Sequence, residues 1–229
     1  DAAQVDKFFG RVNPDYVFLA AGKSGGISAN QKHPAELMLN NLLVECHVIS
    51  SAYRYKVKKL LYLASSCSYP KESPQPMQVE SLFTGTLEIT SEAYAMAKIA
   101  GIKLCEAYRR QYRVNFISGI PADAFGPHDN FDIEDSHVAA ALIRKMHEAK
   151  EQGIKTVEIW GSGKPRREFI FVDDLARGCI FVMDKYNEPQ TINIGGGTDL
   201  SIRELAEVIK EVVGYQGELH FNTEKPDGM

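Results

Sequence analysis

An α/β fold built on a mostly parallel sheet is predicted, on three observations. Short β-prone apolar runs alternate with longer segments of helical periodicity, each run ends in small or polar residues, and 229 residues at 44% hydrophobic content supply one sizeable core with a smaller lobe beside it. Strands that alternate with helices are joined by crossovers, which makes them parallel neighbours in one sheet.

The elements follow in order. "AAQVDKFFGRV" opens the chain as a helix, and "DYVFLAA" (15–21) is the first strand-like run. Residues 34–55 carry apolar side chains at helical spacing, "KKLLYLASS" (58–66) is the second run, and a helix over about 92–112 follows. "VNFISGIPA" (114–122) is the third run, closed by Pro121, which has no N–H to give to a ladder. Beyond about residue 128 the texture changes: a helix over 136–153, short strands around a Gly-Pro turn, another helix, and "TINIGGGTDLSIRELAEVI", where Ser201 and Glu204 form a capping-box signature. The expected division is 1–127 for a dinucleotide-binding domain and 128–229 for a substrate lobe interleaved with the last sheet elements. The proline-rich "YPKESPQPMQVES" (69–81) is placed to cover a site.

Composition narrows the partners. A formal charge of −4 with mixed signs disfavours nucleic acid and acidic membrane surfaces, and no run reaches the roughly 18 apolar residues of a membrane span. Four cysteines without C-x-x-C spacing and six histidines without ligand spacing indicate neither a disulfide framework nor a metal. A cytoplasmic protein acting on a small molecule is expected. The chain opens on Asp1 and stops at "KPDGM", which reads as part of something longer.

In such sheets ligands bind beyond the carboxyl ends of the strands. The residues there are Ala20-Ala21-Gly22, Ser65-Ser66-Cys67 and Pro121-Ala122-Asp123. Tyr94 and Lys98, four apart on a helix, share a face; an ammonium beside the phenol favours its phenolate and lowers its pKa. The pair alone reads equally well as the edge of an amphipathic helix with Lys98 in water.

Taken in order, Ser65-Ser66-Cys67, Tyr94-x-x-x-Lys98, "PADAFGP", "GSGKPRREFIFVDDLA" and "NIGGGTDLSIRELAEVI" resemble the extended short-chain dehydrogenase/reductase family. "LAAGKSGGISANQKHPAELMLNN" and "GPHDNF" followed by "SHV" resemble, within it, the members that epimerise and reduce GDP-4-keto-6-deoxy-hexoses. The resemblance implies a Rossmann-type doubly wound sheet with a smaller mixed α/β substrate lobe, NADP(H), a GDP-sugar substrate, and a homodimer formed through the helices near 34–55 and 92–112.

Residue by residue, it implies that Ser65 and Tyr94 bind the sugar C4 oxygen, with Tyr94 the proton donor and Lys98 on the nicotinamide ribose. Cys67 and His137 would be the acid/base pair for epimerisation. Ala20, Ala21, Gly22, Leu63, Ala64, Ser65, Ser66, Tyr94, Lys98, Pro121, Ala122, Asp123, Ala124 and His137 would touch the cofactor. Lys145, Trp160, Arg167 and Asp227 would line the nucleotide-sugar side. Plainer roles exist for several: Cys67 as core filler, His137 as a helix-start residue, Trp160 as core, Arg166 and Arg167 as a solvated turn pair.

Two departures matter. The family's phosphate-cradling G-x-x-G-x-x-G turn, with the first strand and helix, is not in this sequence. Where the family usually reads Pro-Thr-Asn, this chain has Pro121-Ala122-Asp123, and a charge there would weaken hydride delivery unless protonated or paired. A 4-epimerase or dehydratase of the same fold is disfavoured by Cys67, and a non-catalytic binding relative by the joint presence of Ser65, Cys67, Tyr94, Lys98 and His137.

Overall fold

The computed structural model describes residues 1–133 and 135–227. In chain order the elements are α1 (Ala2–Val12), β1 (Tyr16–Leu19), α2 (Ile27–Lys32), α3 (Pro34–Arg54), β2 (Lys59–Leu63), α4 (Glu92–Tyr112), β3 (Phe116–Pro121), β4 (Asp123–Phe125), α5 (Val138–Gln152), β5 (Thr156–Trp160), β6 (Arg166–Phe171), α6 (Val172–Lys185), β7 (Ile192–Ile194), β8 (Asp199–Ser201), α7 (Ile202–Val213) and β9 (Glu218–Asn222). Single 3₁₀ turns lie at Ser66–Ser68 and Val79–Ser81.

The main sheet is parallel, in the order β1-β2-β3-β7. Side chains alternate across it with a period of two, so both faces need an apolar cover. Leu60, Tyr62, Phe116 and Ile120 pack on one side with Ile49 and Ala52 of α3 and Ile102 and Cys105 of α4. Leu61, Ile117 and Ile194 pack on the other with Cys179, Val182 and Met183 of α6. Lys59, buried at the start of β2, donates through Nζ to the carbonyls of Val182, Met183 and Tyr186. A cation there satisfies the last carbonyls of α6 and complements the negative end of its dipole.

A second cluster gathers Leu142 and Met146 of α5, Ile159 of β5, and Leu205 and Ile209 of α7. Beneath it β5 and β9 pair in parallel, and β4, β6 and β8 form a separate sheet. The expected capping box starts α7: the Ser201 hydroxyl accepts from the Glu204 N–H, and Glu204 accepts from the Ser201 N–H. The two larger sheets meet at one residue. Pro121 pairs with Ile194 as the last residue of β3, the Ala122 N–H donates to the Ile194 carbonyl, and Asp123 already pairs with Phe169 of β6.

Candidate active site

The carboxyl ends of β1, β2 and β3 open on a cavity of about 600 Å³, closed on its far side by α5, β5 and β6. Behind β2 the chain makes a sharp turn: Ser65 is extended, and its hydroxyl accepts from the Cys67 N–H at 3.3 Å. Ser65, Cys67, Tyr94 and Lys98 all line the cavity, with His137 across from them.

Burial chiefly pushes the Cys67 thiol up; hydrogen bonds with Ser65 and Ser91 and the charge of Arg167 pull it back, and Asp123 adds to the rise. Tyr94 is likewise pushed above the usual phenol range, first by burial, then by Cys67, with the Ser65 hydrogen bond opposing. Both groups therefore hold their protons to higher pH than an ordinary thiol or phenol.

The expectation that Lys98 lowers the tyrosine pKa is corrected here. Lys98 Nζ is 5.9 Å from the Tyr94 ring centroid, and its charge is taken by Glu45 at 3.5 Å and the Leu63 carbonyl at 3.3 Å. Neither is Lys98 in water, being only 5% exposed.

His137 sits just before α5 and is exposed, its Nε2 3.5 Å from the Ser24 hydroxyl. Asp123 opens β4 into the cavity; burial pushes its carboxyl up, and Arg167 and His137 pull it down. The far wall carries Lys145, Trp160, Arg167 and Asp227. Trp160 is not core: it is 40% exposed, with the ammonium groups of Lys145 and Lys225 at 5.8 and 5.2 Å from its ring. Adjacent arginines divide as strand neighbours do. Arg166 pairs outward with Asp199 at 3.0 Å and Glu204 at 3.2 Å, while Arg167 lines the cavity. Asp227 already accepts from the N–H and hydroxyl of Ser162.

On the cofactor side Ala20, Gly22, Leu63, Ala64, Ser66, Pro121, Ala122 and Ala124 line the cavity. Ala21 does not; it is exposed, because adjacent positions of an extended segment face opposite ways. The proline-rich loop also departs from expectation. It is tied to β7, with Tyr69 donating to Asn193 at 2.6 Å and Asn193 to the Met77 carbonyl at 3.0 Å, and the lining comes instead from Glu88, Thr90 and Ser91.

Two residues escaped the sequence reading. Asn41 and Glu45, one turn apart on the inner face of α3, stand behind the cavity floor. Asn41 donates to the carbonyls of Lys23 and Leu37, at 2.8 and 2.7 Å, and its Oδ1 is buried without a partner among the described residues. A Cβ at Gly22 would lie 2.5 Å from that oxygen and 3.3 Å from Lys98 Nζ. Bare backbone beside a buried acceptor and an ammonium fits the nicotinamide and ribose half of a dinucleotide, which offers amide and hydroxyl groups. The G-x-x-G-x-x-G pattern that cradles a pyrophosphate does not occur within these 229 residues.

A parallel sheet whose strand ends gather serine, tyrosine and lysine around one cavity defines a nicotinamide-dependent oxidoreductase or epimerase. The chain belongs to the NAD dependent epimerase/dehydratase family, whose profile matches residues 1–195. It is 53% identical over 226 residues to GDP-L-fucose synthase 1 of Arabidopsis thaliana, covering 99% of this chain and 70% of that one. Among solved structures it is similar to a GDP-6-OMe-4-keto-L-xylo-heptose reductase from C. jejuni, with TM-score 0.92 and 37% identity over 99% of this chain and 76% of that one. A GDP-L-fucose synthetase from Naegleria fowleri bound to NADP matches with TM-score 0.89 and 30% identity, covering all of this chain and 71% of that one.

Proposed function

We propose that this protein catalyses NADPH-dependent epimerisation and reduction of a GDP-4-keto-6-deoxy-hexose to GDP-L-fucose. The observation that carries the reading is that Cys67 and His137, distant in sequence, line the cavity that holds Ser65, Tyr94 and Lys98.

The ketone at C4 acidifies the protons on C3 and C5, because the carbanion left by their removal delocalises into an enolate. Cys67 and His137 serve as the pair that removes a proton from one face of the sugar and returns one to the other. The protonated thiol suits the returning role. Ser65 and Tyr94 donate hydrogen bonds to the enolate oxygen and then to the ketone. The nicotinamide, when bound, supplies hydride to C4, and Tyr94 gives its proton to the C4 oxygen. Lys98, with Leu63 to Ser66 and Pro121 to Ala124, would hold the nicotinamide and ribose. Arg167 offers a planar fork to the diphosphate, and Trp160 a face to the base or sugar.

A homodimer belongs to the same reading. The outer faces of α3 and α4 expose Leu39 (57%), Leu43 (43%) and Met96 (46%), an apolar surface suited to a second copy. L43E would leave a monomer in light scattering.

Reduction without epimerisation is the second reading, favoured by the exposure of His137. The full-length protein given NADPH and GDP-4-keto-6-deoxy-mannose in deuterated water separates the two. Loss of NADPH absorbance with deuterium at C3 and C5 supports the first, loss without deuterium the second, and no loss overturns both.

A further inference from the structure

We propose that Glu45 is a positioning residue that fixes both the place and the charge of Lys98, with Tyr62 as its anchor. The inference rests on the reading above that Lys98 serves the nicotinamide site.

The inner face of α3 is apolar at Leu37, Ile49 and Ala52, yet carries Asn41 and Glu45 between them. Glu45 is 1% exposed. A buried carboxylate is costly unless paired, and a buried ion pair is seldom better for stability than apolar side chains of the same volume. Packing alone therefore leaves Glu45 unexplained.

Its contacts give the explanation. Oε1 accepts from the Tyr62 hydroxyl at 2.6 Å and lies 3.5 Å from Lys98 Nζ. Lys98 Nζ also donates to the Leu63 carbonyl at 3.3 Å and stands 5.1 Å from the Tyr62 ring centroid. An ammonium has three donors. Two are held, one toward α3 and one at the end of β2, leaving the third for the cavity that Lys98 lines. Tyr62 reaches Glu45 only because position 101 is glycine: a Cβ there would lie 2.4 to 2.6 Å from the phenol ring and hydroxyl. Three elements, α3, β2 and α4, thus converge on one side-chain nitrogen.

The charge follows the same geometry. Burial pulls the Lys98 ammonium toward deprotonation, and Glu45 opposes that; burial likewise pushes Glu45 toward the neutral acid, and Tyr62 and Lys98 oppose it. The other titratable groups near the pair are Tyr94, Cys46 and Cys105, none of them a cation. Without Glu45, burial acts on Lys98 with no carboxylate to oppose it, and the ammonium is lost at a lower pH.

The test is a titration of the full-length protein carrying ¹³C at lysine Cε, with K98M identifying the Lys98 resonance. In E45Q the Lys98 midpoint falls by about one to three pH units, the range an opposite charge at this separation supplies. E45D, which keeps the charge, restores most of the shift. With GDP-4-keto-6-deoxy-mannose and NADPH, the alkaline limb of kcat in E45Q moves down with the NMR midpoint while KM for the sugar stays within about twofold. Should E45Q not fold, Y62F carries the test, since loss of its hydrogen bond weakens the carboxylate and lowers the midpoint by a smaller amount. Coincident Lys98 midpoints in wild type and the variant that folds overturn the inference. A wild-type protein that fails to turn over the sugar removes the proposed function, and the Lys98 titration still decides the role of Glu45.

Discussion

The two walls of the cavity are built to different standards. On the sheet side, Lys98 is buried between α4, β2 and α3, with Nζ held by Glu45 and the Leu63 carbonyl, and Tyr94 stands half-buried one turn before it. On the far side Trp160 is 40% exposed, and Asp227, which accepts from the Ser162 N–H, is exposed as well. The difference teaches where accuracy is needed. A proton donor must meet the reacting atom within a few tenths of an ångström, whereas groups that hold a large charged ligand act over a wider area and tolerate water.

Substitutions on the two walls should therefore fail differently. Y94F removes the proton donor proposed above and lowers kcat by about 10²–10⁴-fold with KM for the sugar little changed, which steady-state kinetics would show. R167A removes the fork proposed above for the diphosphate and raises KM by about 10- to 100-fold with kcat nearly intact. If R167A lowers kcat instead, the contrast between the walls is wrong. G101A probes the packing behind the sheet-side wall, where the added methyl forces Tyr62 aside; an overpacked core costs about 1–3 kcal/mol, read as a lower melting temperature.

The smallest effect is expected at Asp123, which stands where the walls meet. Its folded pKa is raised by burial, so it keeps its proton to higher pH than an ordinary aspartate and gains charge as pH climbs. That charge disfavours the anions of Cys67 and Tyr94. D123N, which cannot titrate, flattens the pH dependence of kcat by less than about tenfold across the range. The linkage to stability has the same sign. A raised folded pKa contributes stability at low pH that is lost as pH rises through that value, so D123N gains on wild type at alkaline pH.

Much of this was legible from residue order. Small and polar clusters at the ends of apolar runs mark strand ends, and Tyr94 with Lys98 four later reads as one helix face; neither depends on distant packing. What escaped depends on it. Glu45 falls in phase with Leu37, Asn41, Ile49 and Ala52, so its inward direction was encoded at helical spacing, yet its partner Tyr62 comes from a strand and could not be paired with it from sequence. The direction of the Lys98 charge was misjudged for the same reason. Arg166 and Arg167 are equal in composition, and only the phase of β6 tells the outward side chain from the inward one.

The single residue between β3 and β4 has a consequence for how this protein can vary. Because Pro121 is registered against Ile194 and Asp123 against Phe169, an insertion at Ala122 that slipped β4 by one residue against β6 would reverse the facing of its side chains and turn Asp123 away from the cavity. New chemistry at this seam can come by exchanging side chains but not by lengthening the chain. Asp123, beside Arg167, is the kind of change the seam permits.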